Sequence, residues 1–256
     1  MAKRKIIIGN WKMNPLSAKE ADKLLVGVAK SISTLKNTEV VVSPPFIYID
    51  RLKKVSKKIS MGAQDAFWGD VGAFTGEISP EMLYELGARY VILGHSERRA
   101  MGEIDEVINK KVKGALASSL TPVLCVGELS RDATHGHFDI VKSQIKECLK
   151  GVPKNSISRV IVAYEPVWAI SSTPDRRDAT PADSLEMAIF IRRVLSDLSN
   201  PVVAKETRVI YGGSVNERDA GDFLDNGGVD GLLAGRASLD YKKFSEIVKK
   251  CEASKK

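Results

Sequence analysis

Eight short apolar runs return at regular intervals along the chain, and this rhythm constrains the fold more than any other feature. They occupy 5–9, 40–43, 59–63, 90–94, 122–126, 160–163, 209–211 and 231–234. Consecutive apolar positions of this length suit strands buried on both faces, as in a parallel sheet. Longer amphipathic stretches separate them. In 17–31, Ala21, Leu24, Leu25, Val28 and Ala29 form a helical stripe, and in 104–117 Ile104, Val107, Ile108, Val112, Ala115 and Leu116 do the same. The stretches 138–149, 182–198, 217–224 and 241–248 continue the pattern, and Thr180-Pro181-Ala182-Asp183 reads as a helix start. Eight strand–helix units with no linker between halves predict an α/β protein: one closed (β/α)8 barrel domain over residues 1–256. The competing doubly wound sheet would carry a Gly-rich fingerprint after its first strand, and Gly9-Asn10-Trp11-Lys12 is not one.

Charge and cysteine content narrow the classes of function. The net charge is +7, but the lysines are scattered (3–5, 53–58, 110–113 and the C-terminal end) and not interleaved with aromatic residues. They read as a solvated basic face that helps gather an anionic substrate, with no nucleic-acid partner. The three cysteines, Cys125, Cys148 and Cys251, are widely spaced and odd in number, which predicts reduced thiols and a cytoplasmic location. No segment approaches membrane-spanning length, and the first apolar run reads as a strand, not a targeting signal. His135 and His137 form an isolated His-x-His, read as two exposed loop histidines, so no metal is expected.

In a barrel of this kind chemistry gathers on the loops after the C-terminal ends of the strands. Those positions hold Gly9-Asn10-Trp11-Lys12, Gly94-His95-Ser96-Glu97, Tyr164-Glu165-Pro166, Gly212-Gly213-Ser214 and Gly235-Arg236. Each has an ordinary explanation: a surface lysine, a hydrogen-bonded core histidine, a salt-bridged glutamate, tight turns. Together at one rim they fit one task. The glycine turns present N–H groups to an anion, Lys12 neutralises charge, His95 polarises a carbonyl, and Glu165 removes the proton which that carbonyl acidifies.

At these residues the sequence resembles the triosephosphate isomerase family from about residue 5 to residue 248. The matching blocks are Asn10-x-Lys12-Met13-Asn14, Ala73-Phe74-Thr75-Gly76-Glu77, His95-Ser96-Glu97-Arg98-Arg99, Leu124-Cys125-Val126-Gly127-Glu128, Ala163 through Ile170 around Glu165, and Tyr211-Gly212-Gly213-Ser214-Val215. The resemblance implies a TIM barrel without cofactors that interconverts dihydroxyacetone phosphate and glyceraldehyde 3-phosphate, a step of glycolysis and gluconeogenesis. It implies Glu165 as the base, His95 as a neutral imidazole on the substrate oxygens, Lys12 as charge partner, Asn10 as a positioning side chain and Glu97 as a brace for Lys12. Ser171, Ser214, Gly235 and Arg236 correspond to the phosphate grip, and 166–180 to a lid that excludes water. The segment from Gln64 to Glu77 resembles a loop that docks into a second copy near Lys12 to make a homodimer, with Phe67, Trp68 and Phe74 as anchors.

Two places depart from the family pattern. The lid tip usually reads Gly-Thr-Gly and here runs Ser171-Ser172-Thr173-Pro174, in a stretch about three residues longer than usual. A Cβ at Ser171 restricts the backbone, so a slower or looser lid is expected. The usual Gly-Gly phosphate pair is Gly235-Arg236, with the Arg236 side chain expected toward solvent. Three other readings stay open: another sugar-phosphate isomerase, an aldolase on the same barrel, and a catalytically silent phosphate-binding barrel with an interaction role. A Schiff-base aldolase would need a lysine inside the barrel, and the only lysine in the eight runs is Lys5, at the very start of the first.

Overall fold

A computed structural model describes residues 3–131, 135–170 and 177–254. Eight parallel strands close into a barrel in sequence order: β1 (Lys5–Asn10), β2 (Thr38–Ser43), β3 (Ile59–Ala63), β4 (Ala88–Leu93), β5 (Thr121–Val126), β6 (Ile161–Tyr164), β7 (Arg208–Tyr211) and β8 (Gly231–Ala234). Closure comes from β1 pairing β8, with Ile6 opposite Gly231 and Gly9 opposite Ala234. The described helices are α1 (Ala18–Ser31), α2 (Ile49–Leu52), α3 (Pro80–Leu86), α4 (Ser96–Ala100), α5 (Asp105–Ala117), α6 (His137–Cys148), α7 (Pro181–Leu198), α8 (Pro201–Glu206), α9 (Ala220–Asn226) and α10 (Tyr241–Ala253).

The unbroken apolar character of the strands has a direct cause: there are two cores. Ile6, Ile8, Val41, Tyr90, Ile92, Val123, Cys125, Ile161, Ala163, Ile210 and Leu233 fill the barrel axis. Their strand neighbours, such as Ile7, Val40, Val42, Val91 and Val162, point outward and pack under the helices. Strand alternation therefore feeds both cores, and water is met chiefly near the strand starts, as at Arg89 of β4. Each helix supplies one stripe: α1 buries Ala21, Leu24, Leu25 and Val28, where each of the larger side chains contributes roughly 1.5–3 kcal/mol.

Helix ends are set by local chemistry. Ser17 caps α1 by accepting the Glu20 N–H, and Thr180 with Asp183 forms a reciprocal capping box on α7 with Pro181 in its first turn. The helix expected over 217–224 begins later, at Ala220. Asn216 and Asp219 account for the delay: the Asn216 side chain accepts the Arg218 N–H at 2.7 Å, and Asp219 accepts the Asn216 N–H at 3.1 Å. This side-chain turn takes the backbone that the first helical turn would have used.

Two further expectations are corrected. His137 is not an exposed loop residue. It begins α6, is buried, and lies 4.2 Å ring to ring from Phe138, which packs at a tilt against Phe190 on α7. Lys111 is not part of a solvated basic face. It falls on the buried stripe of α5 with Ile108, Val112 and Ala115, where Asp65 at 2.8 Å and Glu103 neutralise it.

Candidate active site

Side chains alternate along a strand, so the second residue past the last inward-facing one decides what lies over the barrel mouth. After Ile6 and Ile8 the next such position is Asn10, and after Ala163 it is Glu165. After Ile210 and Leu233 it is Gly212 and Gly235. Two polar side chains thus enter a layer from which the neighbouring strands have withdrawn theirs. A Cβ on Gly212 would sit 2.9 Å from Glu165 Cγ, and one on Gly127 would sit 1.8 Å from the Glu165 carbonyl oxygen. These glycines make room for Glu165. What remains is a cavity of about 410 Å3, bounded by Asn10, Lys12, His95, Glu165, Ser214 and Gly235 among others.

Lys12 enters it from an unusual backbone. Its φ is +52°, in the left-handed region, which costs a non-glycine residue on the order of 1 kcal/mol or more. Hydrogen bonds on both sides hold it there. Asn10 Oδ1 accepts the Lys12 N–H at 2.9 Å, and Gln64 Nε2 donates to the Lys12 carbonyl at 2.8 Å and to the Ser43 carbonyl at 2.9 Å. The Lys12 ammonium is paired with the Glu97 carboxylate.

His95 caps α4: its Nδ1 accepts the Glu97 N–H at 3.2 Å. A ring that accepts at Nδ1 carries its proton on Nε2 when neutral, and an imidazolium has no lone pair for that contact. Nε2 lies 3.3 Å from Glu165 Oε1. The other Glu165 oxygen accepts the Ser96 N–H at 3.2 Å. Both side chains are more than nine-tenths buried, at 7% and 2% exposure. A donor and a base, mutually oriented and shielded from water, face a space large enough for a small phosphorylated sugar.

Against that geometry the comparisons are decisive: the family model described as triosephosphate isomerase matches residues 5–251. The chain belongs to the triosephosphate isomerase family. A triosephosphate isomerase of Thermoanaerobacter sp. (strain X514) is 44% identical over 96% of this chain and 99% of its own length. The one from Caldanaerobacter subterraneus subsp. tengcongensis is likewise 44% identical, with the same coverage. The protein from Aquifex aeolicus is 41% identical over 96% of this chain and 98% of its own.

The structure brings Asn10, Lys12, His95, Glu165, Ser214, Gly235 and Arg236 to this one cavity, with Glu97 behind Lys12. Ser214 is half-buried in the wall, and Arg236 is exposed at the edge, where it starts a short 3-10 turn. Ser171, with Ser172, Thr173 and Pro174, lies outside the described residues. Two participants carried no role in the sequence reading. Gln64 was placed only in the docking loop, yet it fixes the Lys12 carbonyl. Glu128 is fully buried and accepts from Tyr164 Oη at 2.8 Å, Trp168 Nε1 at 2.8 Å and Arg131 Nε at 3.0 Å. Arg131 continues to Asp183 at 3.0 Å, so Trp168, near the start of the expected lid, and the first turn of α7, just after it, are tied to one buried carboxylate. Burial and then Glu128 push the Tyr164 hydroxyl well up, keeping it a neutral donor. Cys125 is fully buried, and burial followed by the nearby Glu165 carboxylate raises its thiol far above the ordinary range, so it offers no nucleophile. Among the described residues no cluster of three or more His, Cys, Asp or Glu side chains could hold a metal ion, and no helix is long and apolar enough to cross a membrane.

Proposed function

We propose that this chain, as a single barrel domain, interconverts dihydroxyacetone phosphate and D-glyceraldehyde 3-phosphate in the cytoplasm, serving glycolysis and gluconeogenesis. The observation that carries the reading is the 3.3 Å approach of His95 Nε2 to Glu165 Oε1 at a cavity shared with Lys12. Glu165 removes a proton from the carbon next to the carbonyl. The electron pair moves onto the carbonyl oxygen, where the His95 Nε2–H and the Lys12 ammonium stabilise the enediolate. Return of the proton from Glu165 to the adjacent carbon, with a hydroxyl proton passing between the two oxygens, completes the exchange. Asn10 positions the substrate oxygens. Glu97 steadies Lys12 and, through its own N–H, holds the His95 ring.

The phosphate dianion is assigned to Ser214, the amides of Gly235 and Arg236, and Ser171. Supporting this, Leu233 is the last inward side chain of β8, so Gly235 leaves the backbone open to the cavity. Closure of 166–180 excludes water, which would otherwise let the enediolate lose its phosphate. If the Ser171 side chain slows closure, Ser171→Gly raises the lid rate measured by relaxation dispersion; equal rates contradict that role.

We further assign the segment from Gln64 to Glu77 to docking on a second copy. Met13 and Met101 are 90% and 74% exposed, and with Phe46 they line a hollow of about 500 Å3 on the other side of Lys12 from the active cavity. Trp68 and Phe74 remain partly exposed for such a contact, whereas Phe67 is buried against them, with ring centroids 4.0 and 4.4 Å away. Sedimentation showing a dimer that Phe74→Asp converts to monomer supports the assignment, and a monomeric parent protein contradicts it. The isomerase itself is tested by coupled assays in both directions beside Glu165→Gln. Turnover that the substitution abolishes supports it. A folded protein that binds phosphate without turnover would favour the silent barrel.

A further inference from the structure

At the opposite rim, where the strands begin, lies a hollow of about 1130 Å3, more than twice the volume of the active cavity. Its lining includes the cations Lys3, Arg4, Lys5, Arg192, Arg193 and Lys205 and the carboxylates Glu206, Asp230 and Glu252. Sorting these by partner leaves an excess of positive charge. Asp230 is engaged by Arg192 at 2.8 Å and by the Val209 N–H at 2.9 Å. Glu252 accepts the N–H groups of Lys36 and Asn37 and the Thr38 hydroxyl. Lys5 donates to the Leu224 carbonyl and to Ser254. Lys3 reaches the Lys205 carbonyl at 2.8 Å. Among the described residues, the side chains of Arg4, Arg193 and Lys205 meet no carboxylate or other hydrogen-bond partner, and Glu206 alone opposes them.

Cations at this rim commonly complement the C-terminal carbonyls of helices, which accounts for Lys5 and for one contact of Lys3. It does not account for Arg4 and Arg193, which touch no carbonyl. Lys3 is also half-buried among charges of both signs, with Asp230 and Glu206 opposing its two arginine neighbours. Burial lowers its ammonium below the ordinary lysine range, Arg192 and Arg208 add to the effect, and Asp230 only partly offsets it. An anion in the hollow would relieve all four cations at once.

We propose that this hollow binds a linear oligophosphate of three or more linked phosphates, held by Lys3, Arg4, Arg193 and Lys205. One phosphate suits the smaller active cavity, whereas a linear anion with several separated charges can meet cations spread around a larger hollow together. Guanidinium forks match phosphate oxygens two at a time. Inorganic tripolyphosphate and a nucleoside triphosphate share this chemistry. The second adds a base that Pro201 and Val202, on the same lining, could pack against.

Titration calorimetry of the full chain at low salt with inorganic tripolyphosphate, and separately with ATP, tests the site without requiring turnover. Binding is expected to weaken on the order of tenfold or more in Arg4→Ser/Arg193→Ser/Lys205→Ser, with the isomerase KM unchanged. All three substituted side chains are exposed, so folding should be preserved, and Lys3→Gln provides a separate readout in the same direction. ATP binding at least as tightly as tripolyphosphate would assign a nucleotide; tripolyphosphate binding alone would assign the bare chain. Equal affinity in parent and variant, or displacement of tripolyphosphate by glyceraldehyde 3-phosphate, would overturn the site.

Discussion

The two rims of the barrel are made from opposite ends of the same strands, and they use charge for different ends. On the barrel floor, beside the cationic hollow, charge joins strand to strand. Glu39 of β2 receives the Tyr90 hydroxyl from β4 and Arg208 of β7 at 2.8 Å, a bridge across the barrel floor. Burial and then Glu39 push the Tyr90 hydroxyl up, so it remains a donor. Where the strands end, Glu165 and His95 are buried side by side over empty volume, and Lys12 is held in a left-handed backbone. The first arrangement spends polar groups on closing the barrel. The second gives up stability to keep polar groups facing an open cavity. Stability and activity should therefore respond separately to substitution at the two rims.

The largest expected separation comes from Lys12→Met. Loss of the ammonium should lower kcat/KM by about 10²–10⁴-fold, while the denaturation midpoint stays level or rises. A matching loss of stability would erase the contrast. Next is Arg208→Met on the floor. Removing one partner of the bridge should cost about 1–3 kcal/mol in urea unfolding, since Glu39 and Tyr90 lose a neighbour, with kcat/KM unchanged. Reduced turnover would show that the floor reaches the site. Gln64→Ala sharpens the comparison within the upper rim: it frees the Lys12 carbonyl and should lower kcat/KM by roughly tenfold with a small stability change. The smallest effect is at Asp183. Burial favours its neutral form, but the Thr180 N–H and hydroxyl and the nearby Arg131 outweigh that and hold the carboxyl below its ordinary value. A depressed folded-state value means stability that is present above the unfolded carboxylate range and lost as pH falls through the folded one. Asp183→Asn should then cost about 0.5–1 kcal/mol at neutral pH after allowing for solvent screening. The gap between the two proteins should close on acidification, and a gap that widens would reverse the assignment.

Sequence and structure agree most where a residue's role is local. Strands buried on both faces read as apolar runs, so all eight were legible, and so were the polar residues just past them. The short helices α2 and α3 were not, because four and seven residues give too few turns to show a period. Roles set by distant partners were also invisible. Lys111 looks like a surface lysine until Asp65 and Glu103 are brought to it, although its place on the stripe with Ile108 and Ala115 was a usable signal. His137 is buried by an aromatic contact that runs through Phe138 to Phe190, more than fifty residues away. Glu128 sat within a recognised block, but its three donors come from elsewhere in the chain or a later turn. Gln64 reaches Lys12 across fifty-two positions.

The proposed reaction passes a proton through the buried Glu165 carboxylate by way of an enediolate. Isomerisation of glyceraldehyde 3-phosphate in D2O, followed by NMR, tests it most directly. Deuterium entering the product at C1, with turnover lost in Glu165→Gln, is the predicted result. Product free of deuterium, as direct hydride transfer between the carbons would give, or undiminished turnover in Glu165→Gln, would contradict it.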